Sequence, residues 1–431
     1  MNFEAAVDYL LSLGHETLAI KLGLRNTELL LNALDNPERA FPSVQIAGTN
    51  GKGSTAAMLD SICRAAGVKT GLYTSPHLVS ITERIKLSGA EITREEFAAC
   101  ATTVCDVSEQ LLRDKQIDAL PTFFEQVTAI ALAGFRNAGI QLAILETGLG
   151  GRLDSTTAAN ANIVAITQIA LDHQEYLGNT IASIAAEKAA VIRPGVQAVI
   201  GRQRYPEALD VLLERCRETG VTPILVDDDS NLIEERVNLA LRGRHQIENA
   251  AVASHLARLL RETGFEIPPA AMVRGLETAQ HPARLELIEH RPAFLIDGAH
   301  NPAGAESLRA YLDEFARRPL TLVFGAMRDK QLEQIGEILF PVADLLVLTT
   351  VRNPRSATVE MLETLARYAR GQILKTDDSS TALQMALANT PGEGMICITG
   401  SLYLAGEMRP QILSLSGKQD DYTTQRLTKD T

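Results

Sequence analysis

The sequence predicts an α/β protein: a doubly wound, mostly parallel sheet with a phosphate-binding loop in a large N-terminal domain, followed by a smaller α/β domain. Two observations carry this. The runs SVQIAG (43–48), KTGLYTS (69–75), QLAILETG (141–148), NIVAITQIALDH (162–173) and VQAVIG (196–201) are apolar rather than alternating, as strands covered on both faces are. Between them TREEFAACATTV, TFFEQVTAIALAGFR and TIASIAAEKAAVI have helical spacing, the first with Thr93 and Glu96 placed as a capping box.

A second series, PAFLIDG, TLVFGAM, DLLVLTT, QILKTDD and MICITGS, begins near residue 292 and predicts a Rossmann-like C-terminal domain. The predicted domains are 1–290 and 291–431, with the boundary in LELIEHRPA at Pro292. At the N-terminus, MNFEAAVDYLLSLGHE carries acids and helical spacing, and so reads as an amphipathic helix rather than a signal peptide. The final residues, GKQDDYTTQRLTKDT, are polar without periodicity and are expected to fray.

A chain of 431 residues, 45% of them apolar, has material for two or three domains. Its net charge of -12 argues against a broad nucleic-acid surface, so any anionic ligand must be held by local groups. Five scattered cysteines without a C-x-x-C suggest neither a disulfide framework nor a zinc ribbon. No apolar run reaches the ~18–20 residues that span a bilayer. A soluble, cytoplasmic protein is expected.

The segment GTNGKGS supplies the chemistry: Gly48, Thr49, Asn50, Gly51, Lys52, Gly53 and Ser54. It departs from G-x-x-x-x-G-K-[ST], with Ile46 at the first glycine position and Gly53 after the lysine. Its context is nevertheless that of a phosphate loop, directly after an apolar strand and directly before a helix. There, glycines let amides close on an anion, the helix N-terminus favours negative charge, and Lys52 adds a cation. The alternative is a tight turn with an exposed lysine.

A nucleotide calls for Mg²⁺, which takes hard oxygen ligands. Ser75, Glu146 and His173 are expected at the carboxyl ends of successive strands, where ligands bind in open α/β sheets. Singly they read as a turn serine, a carboxylate paired with Arg152 and a solvated histidine; together they favour a metal site. Glu146 opens ETGLGGRLDSTT, where Gly148, Gly150 and Gly151 imply close ligand approach and Arg152 with Asp154 adds a charge pair.

These strings, with YTSPHLVSITERI, PTFFE, ALDHQEYLG, EKAAVIRPG, GRHQIENA, HPARLE, DGAHNP and TGSLYLAGE in order, resemble the folylpolyglutamate synthase/dihydrofolate synthase family of the Mur ligase superfamily. The resemblance implies a monomeric ligase that uses ATP to join L-glutamate to dihydropteroate, to a reduced folate, or to both. It places Mg²⁺ on Ser75, Glu146 and His173, and makes Lys52, Glu146, His173 and Lys188 catalytic. It also implies a carbamylated Lys188, where the residues alone suggest an inert lysine on an Ala-rich helix. Nucleotide contacts fall on Asn249, Arg284 and Asp297 besides the loop. Folate contacts fall on Thr122, Phe124, Leu153 and Asp154, and glutamate contacts on His300 and Ser401. The chain departs from the family at Ala283, where glycine is usual, and at Thr157, where asparagine is common. A Mur-type ligase of a cell-wall nucleotide and a non-catalytic, nucleotide-controlled binding protein are the competing readings. Only about forty residues precede the loop, which disfavours the first; DGAHNP disfavours the second.

Overall fold

The computed structural model describes residues 1–14, 23–226 and 237–417. The C-terminal tail expected to fray lies mostly outside them. Two compact units emerge, Met1–Ala240 with Gln246–Gln280, and Leu241–His245 with His281–Thr431. The division after Gln280 precedes the expected boundary by about ten residues, because Glu286–Ile288 inside LELIEHRPA pairs antiparallel with Ala293–Ile296 and so belongs to the second sheet.

In the first unit the strands are β1 Ser43–Ala47, β2 Thr70–Tyr73, β3 Ile85–Leu87, β4 Ala90–Glu91, β5 Leu142–Glu146, β6 Ile163–Ile166, β7 Gln197–Ile200 and β8 Ile224–Leu225. Their order is β4-β3-β2-β5-β1-β6-β7-β8, parallel except at the β2–β3 and β3–β4 pairings. The helices are α1 Phe3–Ser12, α2 Arg25–Ala33, α3 Lys52–Ala65, α4 Arg94–Arg113, α5 Phe123–Ala138, α6 Gln174–Leu177, α7 Ile181–Ala189, α8 Pro206–Thr219, α9 His245–Glu262 and α10 Pro269–Thr278. The Thr93–Glu96 capping box is present, and a second one, Thr122 with Glu125, starts α5.

The buried strands β1, β2, β5 and β6 explain the apolar runs: every residue of each is buried. Because side chains alternate across a sheet, register assigns the faces. Ala143 and Leu145 join the cluster of α1, α2, α4 and α5, while Val164, Ile166 and Ala198 join that of α7 and α8. Leu145, Gln45 and Val164 stand side by side on that face. On the other face, α3 lies against β1, β2 and β5 and is itself covered by α10.

The second unit has a six-stranded sheet of β9 Glu286–Ile288, β10 Ala293–Ile296, β11 Leu320–Phe324, β12 Leu345–Thr349, β13 Gln372–Thr376 and β14 Met395–Thr399, in the order β13-β12-β11-β14-β10-β9. Only β9 is antiparallel. Its helices are α11 Pro302–Phe315, α12 Leu332–Leu339, α13 Val359–Glu363, α14 Ser379–Asn389 and α15 Leu402–Leu415. Among the described residues no helix is long and apolar enough to cross a membrane.

The α3–α10 contact fixes the helix that the phosphate loop opens. A Cβ at Gly275 would stand 2.3 Å from the Ile62 Cα and 2.5 Å from its nitrogen, backbone atoms that cannot swing aside. Gly275→Ala should therefore lose about 1–3 kcal/mol through overpacking, outweighing the ~1 kcal/mol that alanine gains over glycine inside a helix. Urea denaturation checks this; an unchanged or raised midpoint would show that the two helices separate without cost.

Candidate nucleotide and acceptor site

The phosphate loop spans β1 and α3. Its tightness is steric: Gly48 has φ 145°, and a Cβ there would lie 1.9 Å from the Thr167 Oγ1. Gly51 has φ 88°, and its Cβ would lie 2.1 Å from the Asn249 Oδ1. The amides of Thr49 and Asn50 donate to the Gln168 carbonyl at 2.9 and 3.2 Å, so they are committed to the fold rather than to an anion. No side chain caps α3, whose N-cap is Gly51. The first-turn amides of Lys52, Gly53 and Ser54 thus carry no side-chain cap, the arrangement that can receive an anion.

Asn249 is buried, and its amide donates to the Gln246 Oε1 at 2.9 Å; Gln246 in turn donates to the Ser54 hydroxyl at 3.3 Å. Gln246 and Thr167 hold the loop and were not expected. Gln246 was findable, since it lies three residues before Asn249 on one helix face.

Two lysines converge on the loop carbonyls. Lys52 Nζ donates to Thr49 O at 3.1 Å, and Lys188 Nζ donates to Gly48 O at 2.7 Å. Lys188 is buried rather than exposed on its Ala-rich helix. Burial, and then the charge of Lys52, lowers its pKa to about 7, with Asp172 and Asp154 pulling the other way.

Glu146 is the last residue of β5 and is buried; its Oε2 accepts the Ser75 amide at 3.1 Å, bringing these two together. A serine hydroxyl and a carboxylate suit a hard cation that keeps several waters, so this pair fits Mg²⁺. His173 does not stand at a strand end. After Ile166 the chain leaves the sheet to cover the phosphate loop, and His173 follows as the N-cap of α6, with φ 50° and Nε2 3.9 Å from the Asp172 carboxylate. Among the described residues no three His, Cys, Asp or Glu side chains form a metal cluster.

Around the loop 148–157, Phe123 enters the core and Phe124 stays half-buried, tilted against Tyr73 with ring centroids 6.1 Å apart. The Phe124 ring lies on Gly148, where a Cβ would stand 2.5 Å from it. Thr122 caps α5 through its hydroxyl, and Leu153 is half-buried. Asp154 is buried: Oδ2 accepts the Leu149 amide at 2.8 Å, and Oδ1 accepts the Thr156 amide at 3.0 Å and its hydroxyl at 2.5 Å. Burial raises the Asp154 pKa against these hydrogen bonds. Arg152 pairs with Glu187 at 2.8 Å, not with Asp154 or Glu146, because Asp154 turns inward to clasp its own loop.

Gln45 anchors that loop from the middle of β1. The two N–H groups of its Nε2 are shared among the hydroxyls of Thr147 at 3.2 Å, Thr156 at 3.0 Å and Thr157 at 2.7 Å. Thr156 donates its own proton to Asp154, and Thr157 donates to Gly151 O at 2.7 Å. Those two hydroxyl protons are spent, which orients the Gln45 amide with nitrogen toward the threonines.

In the second unit Asp297 follows β10; its carboxylate accepts the Leu285 and Ala299 amides, each at 2.9 Å. Burial raises its pKa, while Arg284 opposes the shift. The Arg284 guanidinium crosses Gly298, where a Cβ would stand 2.8 Å from Nη1. Arg284 also adds to burial in depressing the His245 pKa to about 4. His300 Nδ1 lies 2.8 Å from Gly298 O, and the buried Ser401 hydroxyl caps α15 by accepting the Leu404 amide at 3.0 Å. The two follow neighbouring strands, β10 and β14.

The Mur ligase middle domain matches residues 46–200, and the Mur ligase glutamate ligase domain matches 283–402. The chain is 32% identical to the dihydrofolate synthase/folylpolyglutamate synthase of Mycobacterium tuberculosis, over 94% of this chain and 92% of that protein. It is 34% identical to a probable bifunctional folylpolyglutamate synthase/dihydropteroate synthase of Haloferax volcanii over 95% of this chain, but spans only about half, 50%, of that longer relative. Among solved structures, Mycobacterium tuberculosis folylpolyglutamate synthase complexed with ADP aligns with a TM-score of 0.86 at 32% identity, covering 97% of this chain and all of that one, 100%. Escherichia coli FolC in complex with DHPP and ADP gives 0.83 at 30% identity, covering 96% and 98%. The Yersinia pestis bifunctional enzyme with Mn, AMPPNP and L-glutamate bound gives 0.80 at 28%, again covering 96% and 98%. Likeness that extends over nearly the whole chain, in sequence and in fold alike, shows that the chain belongs to the folylpolyglutamate synthase/dihydrofolate synthase family, built on Mur ligase domains.

Proposed function

We propose that this chain is a cytoplasmic, monomeric ligase that uses ATP to join the amine of L-glutamate to a folate-type carboxylate, accepting both dihydropteroate and a reduced folate. The uncapped N-terminus of α3 carries the reading: its glycines exclude any side chain, and two lysines face the loop. The ADP, DHPP, Mn and L-glutamate in its relatives' structures support the same substrates here.

The acceptor carboxylate attacks the γ-phosphate, giving an acyl phosphate and ADP; the glutamate amine then displaces phosphate and forms the amide. A carboxylate oxygen is a poor leaving group, and phosphorylation makes it a good one. Lys52 and the first-turn amides of α3 hold the charge of the transferred group. Ser75, Glu146 and His173 would hold Mg²⁺, which when bound neutralises charge on the phosphate oxygens. Phe124, on its glycine seat, stacks the flat acceptor, with Thr122, Leu153 and Asp154 around it. Asn249, Arg284 and Asp297 serve the nucleotide, and His300 and Ser401 serve the glutamate. Lys188, with its amine deprotonating near pH 7, reacts with CO₂, forming an N–C bond and releasing a proton, to give a carbamate.

A mass-spectrometric product assay with MgATP, L-glutamate and either dihydropteroate or tetrahydrofolate should show one added glutamyl unit on each acceptor. A protein that binds ATP and modifies neither acceptor would refute the reading. Lys52→Ala should lower kcat by about 10²–10³-fold, the usual loss for a group that stabilises transition-state charge, with an unchanged melting temperature; near-normal turnover would remove Lys52 from its role.

Lys188 makes a pH prediction. Its pKa is about 7 in the fold against 10.5 for an ordinary solvated lysine. Between those values the unfolded chain binds more protons, so this residue makes stability rise with pH across the window. In CO₂-free buffer, the unfolding free energy of the wild type minus that of Lys188→Met should increase from pH 7 to pH 9; a flat difference would contradict the depressed pKa. With ¹³C-bicarbonate, a carbamate resonance should appear in the wild type and be absent from the variant, and its absence from both would leave Lys188 unmodified.

A further inference from the structure

The turn that carries Arg284 is strained on both sides of it. Ala283 has φ 57° and Leu285 φ 47°, left-handed values that cost a side-chain-bearing residue about 1–2 kcal/mol each. Both flanking side chains are buried and that of Arg284 is half-buried, so the twist hides its neighbours and lays one guanidinium across Gly298. Such strain persists only where the surroundings over-determine it.

Three hydrogen bonds to the backbone of the turn do so here, two of them accepted by carboxylates. Gly298 N donates to Ala283 O at 2.9 Å, Leu285 N to the Asp297 Oδ2 at 2.9 Å, and Ala283 N to the Glu286 Oε2 at 3.0 Å. The last depends on where the Glu286 carboxylate is aimed, and Arg409 of α15 aims it. Arg409 is nearly buried; its Nε lies 3.1 and 2.9 Å from Oε1 and Oε2, and its Nη2 lies 2.9 Å from Oε1. A two-pronged guanidinium–carboxylate contact fixes orientation as well as charge.

We propose that Arg409 is a positioning residue for nucleotide binding: through Glu286 it holds the strained Ala283–Leu285 turn, and the turn presents Arg284. This rests on the assignment of Arg284 to the nucleotide. Arg409 touches no substrate; it acts on the population of the turn that can bind.

The test measures kcat, the KM of each substrate and the melting temperature for Arg284→Ala, Arg409→Met, and Arg409→Met combined with Ala283→Gly. Arg284→Ala should raise the KM for ATP. Arg409→Met should raise it about tenfold, in line with loss of one charge-assisted contact, and leave the KM for glutamate unchanged. Ala283→Gly makes φ near 57° free of strain, so the double variant should recover most of that KM. A drop in melting temperature without a change in the KM for ATP, or no rescue by Ala283→Gly, overturns the proposal while leaving the Arg284 assignment intact. An unaltered KM in Arg284→Ala instead overturns the assignment and the proposal with it. If Arg409→Met does not fold, Arg409→Lys keeps the charge and loses the two-pronged contact, and a smaller, equally rescuable rise is expected.

Discussion

Much of the first unit follows from a steric fact: the turn between β1 and α3 has no room for a side chain on either of its flanks. Gly48 is pressed on Thr167 and Gly51 on Asn249. To press there, the chain after β6 must leave the sheet, and α9 must bring Asn249 over the loop. The departure from the sheet spends the Thr49 and Asn50 amides on Gln168 and leaves the start of α3 without a side-chain cap. One close approach thereby decides which amides the fold itself consumes.

The same economy holds at the other candidate residues, where a side chain that could meet a ligand also secures its own loop. Thr122 and Ser401 cap helices, Asp154 clasps 149–156, and Asp297 ties the turn before β9 to the loop after β10. Such residues come to a ligand already oriented, so little conformational freedom is lost on binding.

Strand positions were legible because burial on both faces writes a local signal, a run of apolar residues, into the chain. The phosphate loop was legible because its context, strand then glycines then helix, is local too. What escaped was set by partners far apart in sequence. NIVAITQIALDH reads as one strand, yet only Ile163–Ile166 pairs, because cover for the loop takes the remainder. The Arg152–Glu187 pair and the Gln45 network join residues whose distance in the chain hides them. The domain boundary slipped because β9, three residues long, is too short to announce itself. Ala283 drew notice as a departure from the family's glycine, but its left-handed φ is visible only in three dimensions.

Gln45 bears on how this sequence can change. Its two amide N–H groups are shared among three buried threonine hydroxyls, and two of those hydroxyls donate in turn to Asp154 and to the Gly151 carbonyl. Loss of the Thr157 hydroxyl alone leaves Thr147 and Thr156 to receive both N–H groups, and loss of the Gln45 amide alone leaves Thr156 and Thr157 still bonded through their own protons. The network therefore holds one acceptor to spare, and tolerance of change is built into it. An asparagine at 157 would still offer a carbonyl oxygen to the Gln45 amide, so that position can drift while its glutamine stays.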